Sequence, residues 1–186
     1  MGGIPNLSDL TNLEYLDLGA NKLSGSIPDW ISSWSGLKVL GLENNRLSGT
    51  IPESIASLTD LITLDLKKNS LRGSIDVVNG LYNLEYLYLG SNGFSGYIDS
   101  QLFLLGQKQL REVDISNNLF YGDEFPHELL LKPALQLLDL SENSLAGSIP
   151  QSIAKNTVLE ALSINGNSFT GTIPSAIDSL VNLRHL

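Results

Sequence analysis

Residues Leu13 to Pro28 read LEYLDLGANKLSGSIP, and the same string returns down the chain with changes between its leucines. Its apolar residues stand at Leu13, Leu16, Leu18, Leu23 and Ile27, with Asn21 and Gly25 fixed among them. The asparagine marks the register: Asn21, Asn45, Asn69, Asn92, Asn118, Asn143 and Asn167, at steps of 24, 24, 23, 26, 25 and 24 residues. A sustained period in this range means that one supersecondary unit is stacked on copies of itself. Full coils open at Leu13, Leu37, Leu61, Leu84, Leu110, Leu135 and Leu159. Residues up to Asn12 carry the second half of a coil, and Leu183 opens an eighth that stops at Leu186. A single solenoid is therefore expected, with seven full repeats over 13–182 and partial ones at 1–12 and 183–186. A coil buries its apolar edge only against a neighbour, and neither end carries a polar capping segment. That pattern suits an uncapped piece of a longer protein.

Within a coil, Tyr15-Leu16-Asp17-Leu18-Gly19 alternates polar and apolar residues, the period of a strand with one buried face. One short strand per coil is expected. Successive strands follow a full turn of chain and must run parallel; eight of them, about 4.8 Å apart, would span about 34 Å. Leu16 and Leu18 point inward; Tyr15, Asp17 and Gly19 point outward. Asn21 sits where the strand turns, and its amide can both donate to and accept from backbone groups that the turn leaves unpaired. The column Asn21, Asn45, Asn69, Asn92, Asn118, Asn143 and Asn167 is thus read as a structural ladder, the alternative being sugar or metal ligands. Gly25, Gly49, Gly73, Gly96, Gly147 and Gly171 recur two residues before Ile, where the backbone needs positive φ or close approach. Pro28, Pro52, Pro150 and Pro174 then end the ladder. Ile31 and Trp34, three apart in the return, suit a turn of helix or 3₁₀ structure.

The pattern L-x-x-L-x-L-x-x-N-x-L-x-G-x-I-P, as in Leu135 to Pro150 (LQLLDLSENSLAGSIP), resembles the plant-type leucine-rich repeat over nearly the whole chain. Its Gly-x-Ile-Pro element separates that class from other leucine-rich repeats. Similar proteins include ectodomains of receptor-like kinases, receptor-like proteins and polygalacturonase-inhibiting proteins. The resemblance implies an α/β repeat: a right-handed solenoid with a concave parallel sheet that binds ligands, and short helical or 3₁₀ returns. It also implies a protein or peptide ligand, a possible co-receptor and an extracellular or cell-surface setting as part of a longer protein.

Departures cluster in the middle. Ile75-Asp76 and Ile98-Asp99 replace Ile-Pro, the coil from Leu84 has two extra residues near Gly106 to Gln109, and Gly122 to Pro126 holds one more. Insertions map to loops, so 99–109 and 121–133 are expected to bulge on the return side or its rim. Leu129, Leu130 and Leu131 would either fill a wider coil or form a partner-binding bulge.

The outward columns hold the candidate contacts. One reads Asp17, Gly41, Asp65, Tyr88, Asp114, Asp139 and Ser163, a row of carboxylates expected to lie open to water. The resemblance favours Asp there too, so structure or solubility competes with ligand contact. The neighbouring column reads Tyr15, Val39, Thr63, Tyr86, Glu112, Leu137, Ala161 and His185. Tyr86 and Tyr88 face the same way, and exposed tyrosines offer large contact area at low entropy cost. With Asp65, Lys67, Glu112 and Asp114 they form the expected binding patch, and Tyr15, Asp17 and Asp139 are further candidate ligand contacts on the same face.

Composition narrows the function classes. A formal charge of -9, from 20 acidic against 11 basic residues, opposes adhesion to nucleic acid or to an anionic membrane. There is no cysteine, hence no disulfide framework, thiolate nucleophile or cysteine metal site. The first residues lack the basic and apolar regions of a secretory signal, Asn6 spoils a myristoylation start, and no apolar run is long enough to span a membrane. Catalysis is not expected: His127 and His185 lie far apart, no triad or zinc spacing occurs, and no phosphate loop opens a helix. No cofactor is implied. Asn6-Leu7-Ser8 is a lone glycosylation acceptor. A recognition module is the expected role, with a kinase possible elsewhere in the parent polypeptide. The alternative is a structural or surface-adsorbing solenoid, cell-wall or ice-binding, which needs a flat face of repeated identical groups.

Overall fold

The computed structural model describes residues 2–98 and 107–186. Each of the seven coils lays down a short strand at its expected place: Tyr15–Asp17, Val39–Gly41, Thr63–Asp65, Tyr86–Tyr88, Glu112–Asp114, Leu137–Asp139 and Ala161–Ser163. These pair in chain order into one parallel sheet. Equivalent residues stand opposite each other, as Tyr15 with Val39, Val39 with Thr63 and Thr63 with Tyr86. At the eighth position Ala161 makes a single parallel bridge to His185.

The expectation of one strand per coil is too low. A second parallel sheet, also of seven strands among the described residues, is built from the segments around the Leu-x-Gly and Phe-x-Gly triplets. Its strands are Ser24–Gly25, Arg46–Gly49, Ser70–Gly73, Gly93–Tyr97, Leu119–Gly122, Ser144–Ser148 and Ser168–Thr170. Small serines and glycines hide the strand signal, because β-propensity reads bulky and branched side chains. The register differs too. Ser24 pairs with Arg46 and Ser48 with Ser70, so each strand slides two residues against its neighbour relative to the first sheet. That is about 6.6 Å per coil.

The returns are single 3₁₀ turns, including Asp29–Ser33, Glu53–Ser57, Asp76–Gly80, Gln151–Lys155 and Ser175–Ser179. Proline precedes four of these five, where its missing N–H costs nothing. Between sheets and returns runs a continuous core in which Leu40, Leu64, Leu87, Val113, Leu138 and Leu162 stack with no exposure. In the widened coil, Leu129 and Leu130 fill the interior while Leu131 of the Leu129–Leu131 turn stands out to solvent. The other expected bulge falls mainly on 99–106 and lies outside the described residues.

The turn between the sheets is hydrogen-bonded from coil to coil. Asn45 Nδ2 donates to the carbonyls of Leu18, Leu42 and Glu43, while its Oδ1 accepts the Leu23 N–H of the preceding coil at 2.9 Å. Asn69, Asn92, Asn118, Asn143 and Asn167 repeat this set. Asn21 has bonds only to Leu18 and Gly19 of its own coil. The residue before each asparagine is left-handed, with φ between 49° and 65° at Ala20, Asn44, Lys68, Ser91, Asn117, Glu142 and Gly166. Only one of them is glycine, so this turn is invisible to a search for glycines.

Candidate ligand-binding face

The outward face of the first sheet is polar and more closely wired than its sequence suggests. In the aspartate column, Oδ1 of Asp17, Asp65, Asp114 and Asp139 accepts the backbone N–H two residues on, at Gly19, Lys67, Ser116 and Ser141. Asp114 and Asp139 also accept from the hydroxyls of Ser116 and Ser141 at 2.6 Å. Each carboxylate thus caps the end of its own strand, the short-range bonding for which aspartate is favoured in turns. The expectation that these carboxylates lie open to water needs correcting. Asp114 is only 6% exposed, and Asp65 and Asp139 are half-buried; Asp17, in the first full coil, is exposed. Adjacent strands and long neighbours cover them, an effect the alternation of a single strand does not contain.

Lys67 is the centre of the network. Its ammonium passes over the coil of Tyr86–Tyr88 and ends 2.5 Å from Asp114 Oδ2, two coils away. Gly90 makes room: a β-carbon there would sit 2.7 Å from Asp114 Oδ1. On the way Lys67 Nζ lies 5.7 Å from the centre of the Tyr88 ring, within cation–π range. Burial alone would lower the Lys67 pKa, but the hydrogen bond and charge of Asp114, with Asp65 and Asp139, outweigh it and hold the ammonium above its ordinary value. Burial, then the Glu43 and Asp114 charges, raise Asp65 against the Lys67 backbone and side chain.

Tyr88 donates its hydroxyl to Glu112 Oε2 at 2.6 Å. Burial first, then that bond and the Glu112 charge, push the phenol pKa well above its usual range. Tyr86 and Tyr88 sit side by side, ring centres 6.4 Å apart, and both are half-buried, so their flanks rather than whole rings are open to contact. Glu112 stands opposite Tyr86, and Asp114 and Asp65 stand opposite Tyr88. Tyr86, Tyr88, Asp65, Lys67, Glu112 and Asp114 are therefore one patch. Asp139 adjoins it across Asp114. Tyr15 and Asp17 lie two strands from Thr63–Asp65 and stay outside it. Sequence reasoning placed Lys67 in the patch but not its reach over a whole coil; the glycine at 90 beneath that reach was the available signal.

Among the described residues no group of three or more His, Asp or Glu could hold a metal ion, and no helix is long and apolar enough to cross a membrane.

Two forms of the leucine-rich repeat family pattern match the chain, one over residues 6–47 and 35–94, the other over 134–156 and 158–180. The chain belongs to the leucine-rich repeat family, in its plant-type form. Receptor-like protein 47 of Arabidopsis thaliana is 34% identical over 149 residues, which is 80% of this chain and 12% of that protein. The chain thus spans a small part of the curated relatives it matches. Its leucine-rich repeat solenoid superposes on the plant peptide hormone receptor RGFR1, solved in complex with RGF2, at a TM-score of 0.76 and 29% identity. That match covers 98% of this chain and 37% of the receptor chain. A plant ice-binding protein matches at a TM-score of 0.67 and 27% identity, over 94% of this chain and 63% of its own.

Proposed function

We propose that this chain is the peptide-binding part of a plant cell-surface, extracellular receptor-like protein, and that the patch around Tyr86 and Tyr88 on the concave face takes the ligand. The observation that carries the reading is the patch itself. Two tyrosines, a cation and four carboxylates, including Asp139, are gathered on strands whose register is square and whose backbone is pinned, so the side chains are presented with little entropy left to lose. Similarity to RGFR1, a peptide hormone receptor, supports the ligand class, and the receptor-like relatives support the setting. The chain contributes recognition and no chemistry of its own; a co-receptor and any kinase belong to the parent polypeptide's assembly.

The surface-adsorbing alternative draws on the ice-binding relative and on an exposed column of Ser26, Thr50, Ser74, Ser148 and Thr172 beside the second sheet. Tyr97 and Asp123 interrupt that column at its centre, and the two-residue slide offsets equivalent groups. A flat array of identical groups is not formed, and recognition is the better supported reading.

Peptides selected from a displayed random library on the intact chain test it. The double variant Tyr86→Ala/Tyr88→Ala is expected to weaken their binding about 100-fold, the scale of two central aromatic contacts. Selected peptides that bind this variant as tightly as the parent would place the site elsewhere.

A further inference from the structure

A repeat carries its own control: where one coil departs from the residue its neighbours use, the coil pattern alone does not account for the change. On the second sheet and the residue following each of its Leu-x-Gly or Phe-x-Gly triplets, most coils present serine, threonine, lysine or arginine. The coils at Gly93–Tyr97 and Leu119–Gly122 instead present Tyr97, Leu119 and Tyr121, exposed by 45%, 64% and 53%. The departures are adjacent. Tyr97 pairs in register with Tyr121 and Leu119 with Ser95, and the two rings meet edge to face at 5.7 Å between centres. The Tyr97 hydroxyl donates to a carboxylate oxygen of Asp123.

Beside this pair the sheet is hollow. Gly93 lacks a side chain where the following coil has Leu119, and a depression of about 730 Å³ opens there, walled by Arg72 and Leu119 and edged by Thr50, Ser70 and Ser95. Arg72 pairs in register with Gly93, so its guanidinium stem rises beside the floor. The strip thus runs from a cation and three hydroxyls, across a hollow, to two exposed rings.

We propose that this strip is a second binding site, on a different sheet from the peptide patch, and that it takes a neutral oligosaccharide. A sugar ring offers an apolar face of C–H bonds and an edge of hydroxyls. Leu119 and the tyrosine rings match the face; the five donors of Arg72 and the serine and threonine hydroxyls match the edge. The hollow is open and shallow, suited to a chain laid across strands rather than to an enclosed small molecule. Neutral sugars are selected because the molecule's formal charge of -9 and Asp123 beside the rings repel uronates and phosphates.

Titration of the full chain with cello-, xylo- and manno-oligosaccharides, and with an oligogalacturonate as the charged comparator, tests the proposal. At least one neutral series is expected to bind with a Kd of about 1 mM or tighter. Two variants take residues the solenoid itself uses at the same coil position: Tyr121→Ser copies Ser95, and Gly93→Leu copies Leu119 and fills the hollow. Each is expected to weaken the neutral sugar about tenfold or more, the scale of one lost ring or one blocked subsite, with the circular dichroism of the parent. Tyr86→Ala, on the first sheet, is expected to leave sugar binding unchanged, so this site and the peptide patch stand or fall separately. No binding of any neutral series, uptake of the galacturonate alone, or sugar binding retained by both second-sheet variants overturns the proposal.

Discussion

The two sheets are laid down by the same seven coils, yet one is square and the other sheared. In the first, equivalent residues face each other, Tyr15 with Val39 and Val39 with Thr63. In the second, every strand slides two residues along its neighbour. The shift is introduced in the few residues between them, where Asn45 reaches back to Leu23, 22 residues away, instead of to its own equivalent. A square sheet stacks equivalent positions into columns and so can gather Asp65, Tyr88 and Asp114 in one row; a sheared one staggers them. The same repeat therefore yields a face suited to a shared network and a face suited to separate, staggered groups.

Cutting the joint between the sheets gives the largest expected effect. Asn118 is 7% exposed and its amide holds the carbonyls of Leu89, Ile115 and Ser116 and the N–H of Phe94. Asn118→Ala leaves the Phe94 N–H without a partner in a place water does not reach and takes one of two bonds from each of the three carbonyls, which Asn92, Asn143 and the Ser91 N–H still hold, at a cost of about 2–3 kcal/mol. Asn21→Ala removes bonds to Leu18 and Gly19 at an exposed turn and is expected to cost about 1 kcal/mol or less. Urea denaturation of both variants checks the ratio. Equal losses would mean that the joint does not tie the two sheets together.

The periodic parts of this design were legible in the sequence: the seven strands of the first sheet, the stacked leucines and the short 3₁₀ returns all follow from spacing. What was not legible depends on contacts between coils. The second sheet was missed because Ser24, Ser48 and Ser95 carry no strand signal, and the left-handed turn because Ala20, Lys68 and Glu142 occupy it in place of glycine. In the patch, residue types and strand order were readable, so Tyr86 and Tyr88 could be paired. The burial of Asp114 was not, because it depends on neighbouring strands and on Lys67 arriving from two coils away over Gly90. Tyr97 and Tyr121 stood in plain view as departures from serine, but without a second sheet there was no surface on which to place them together.

The square sheet also has an electrostatic cost that a neutral substitution should reveal. Burial raises the Asp65 pKa above its ordinary 3.8. The folded state then holds the proton more tightly than the unfolded chain, so the penalty of carrying the charge is fully present above the folded pKa. It fades as pH falls through the window above 3.8 and is gone below it. Asp65→Asn keeps an oxygen to accept the Lys67 N–H and removes the penalty. It is expected to be more stable than the parent at pH 7 and to converge with it near pH 3, as read from denaturation midpoints across that range. A variant less stable than the parent at pH 7 would show that the Asp65 charge repays its burial through Lys67.

The smallest expected effect sits in the joint itself. Lys68 is exposed and holds φ at 53°, a conformation that costs an ordinary residue about 1–2 kcal/mol. Lys68→Gly relieves that cost, while the extra freedom of glycine in the unfolded chain takes back about 0.5–1 kcal/mol. The net expectation is a gain of about 0.5–1 kcal/mol, seen as a higher denaturation midpoint at unchanged slope. Asn44→Gly, at the equivalent place with φ 53°, should gain less, because asparagine already tolerates the left-handed region. Gains in that order would assign the strain to the backbone turn; a gain at Lys68 matched by Lys68→Ala would assign it instead to the lysine side chain.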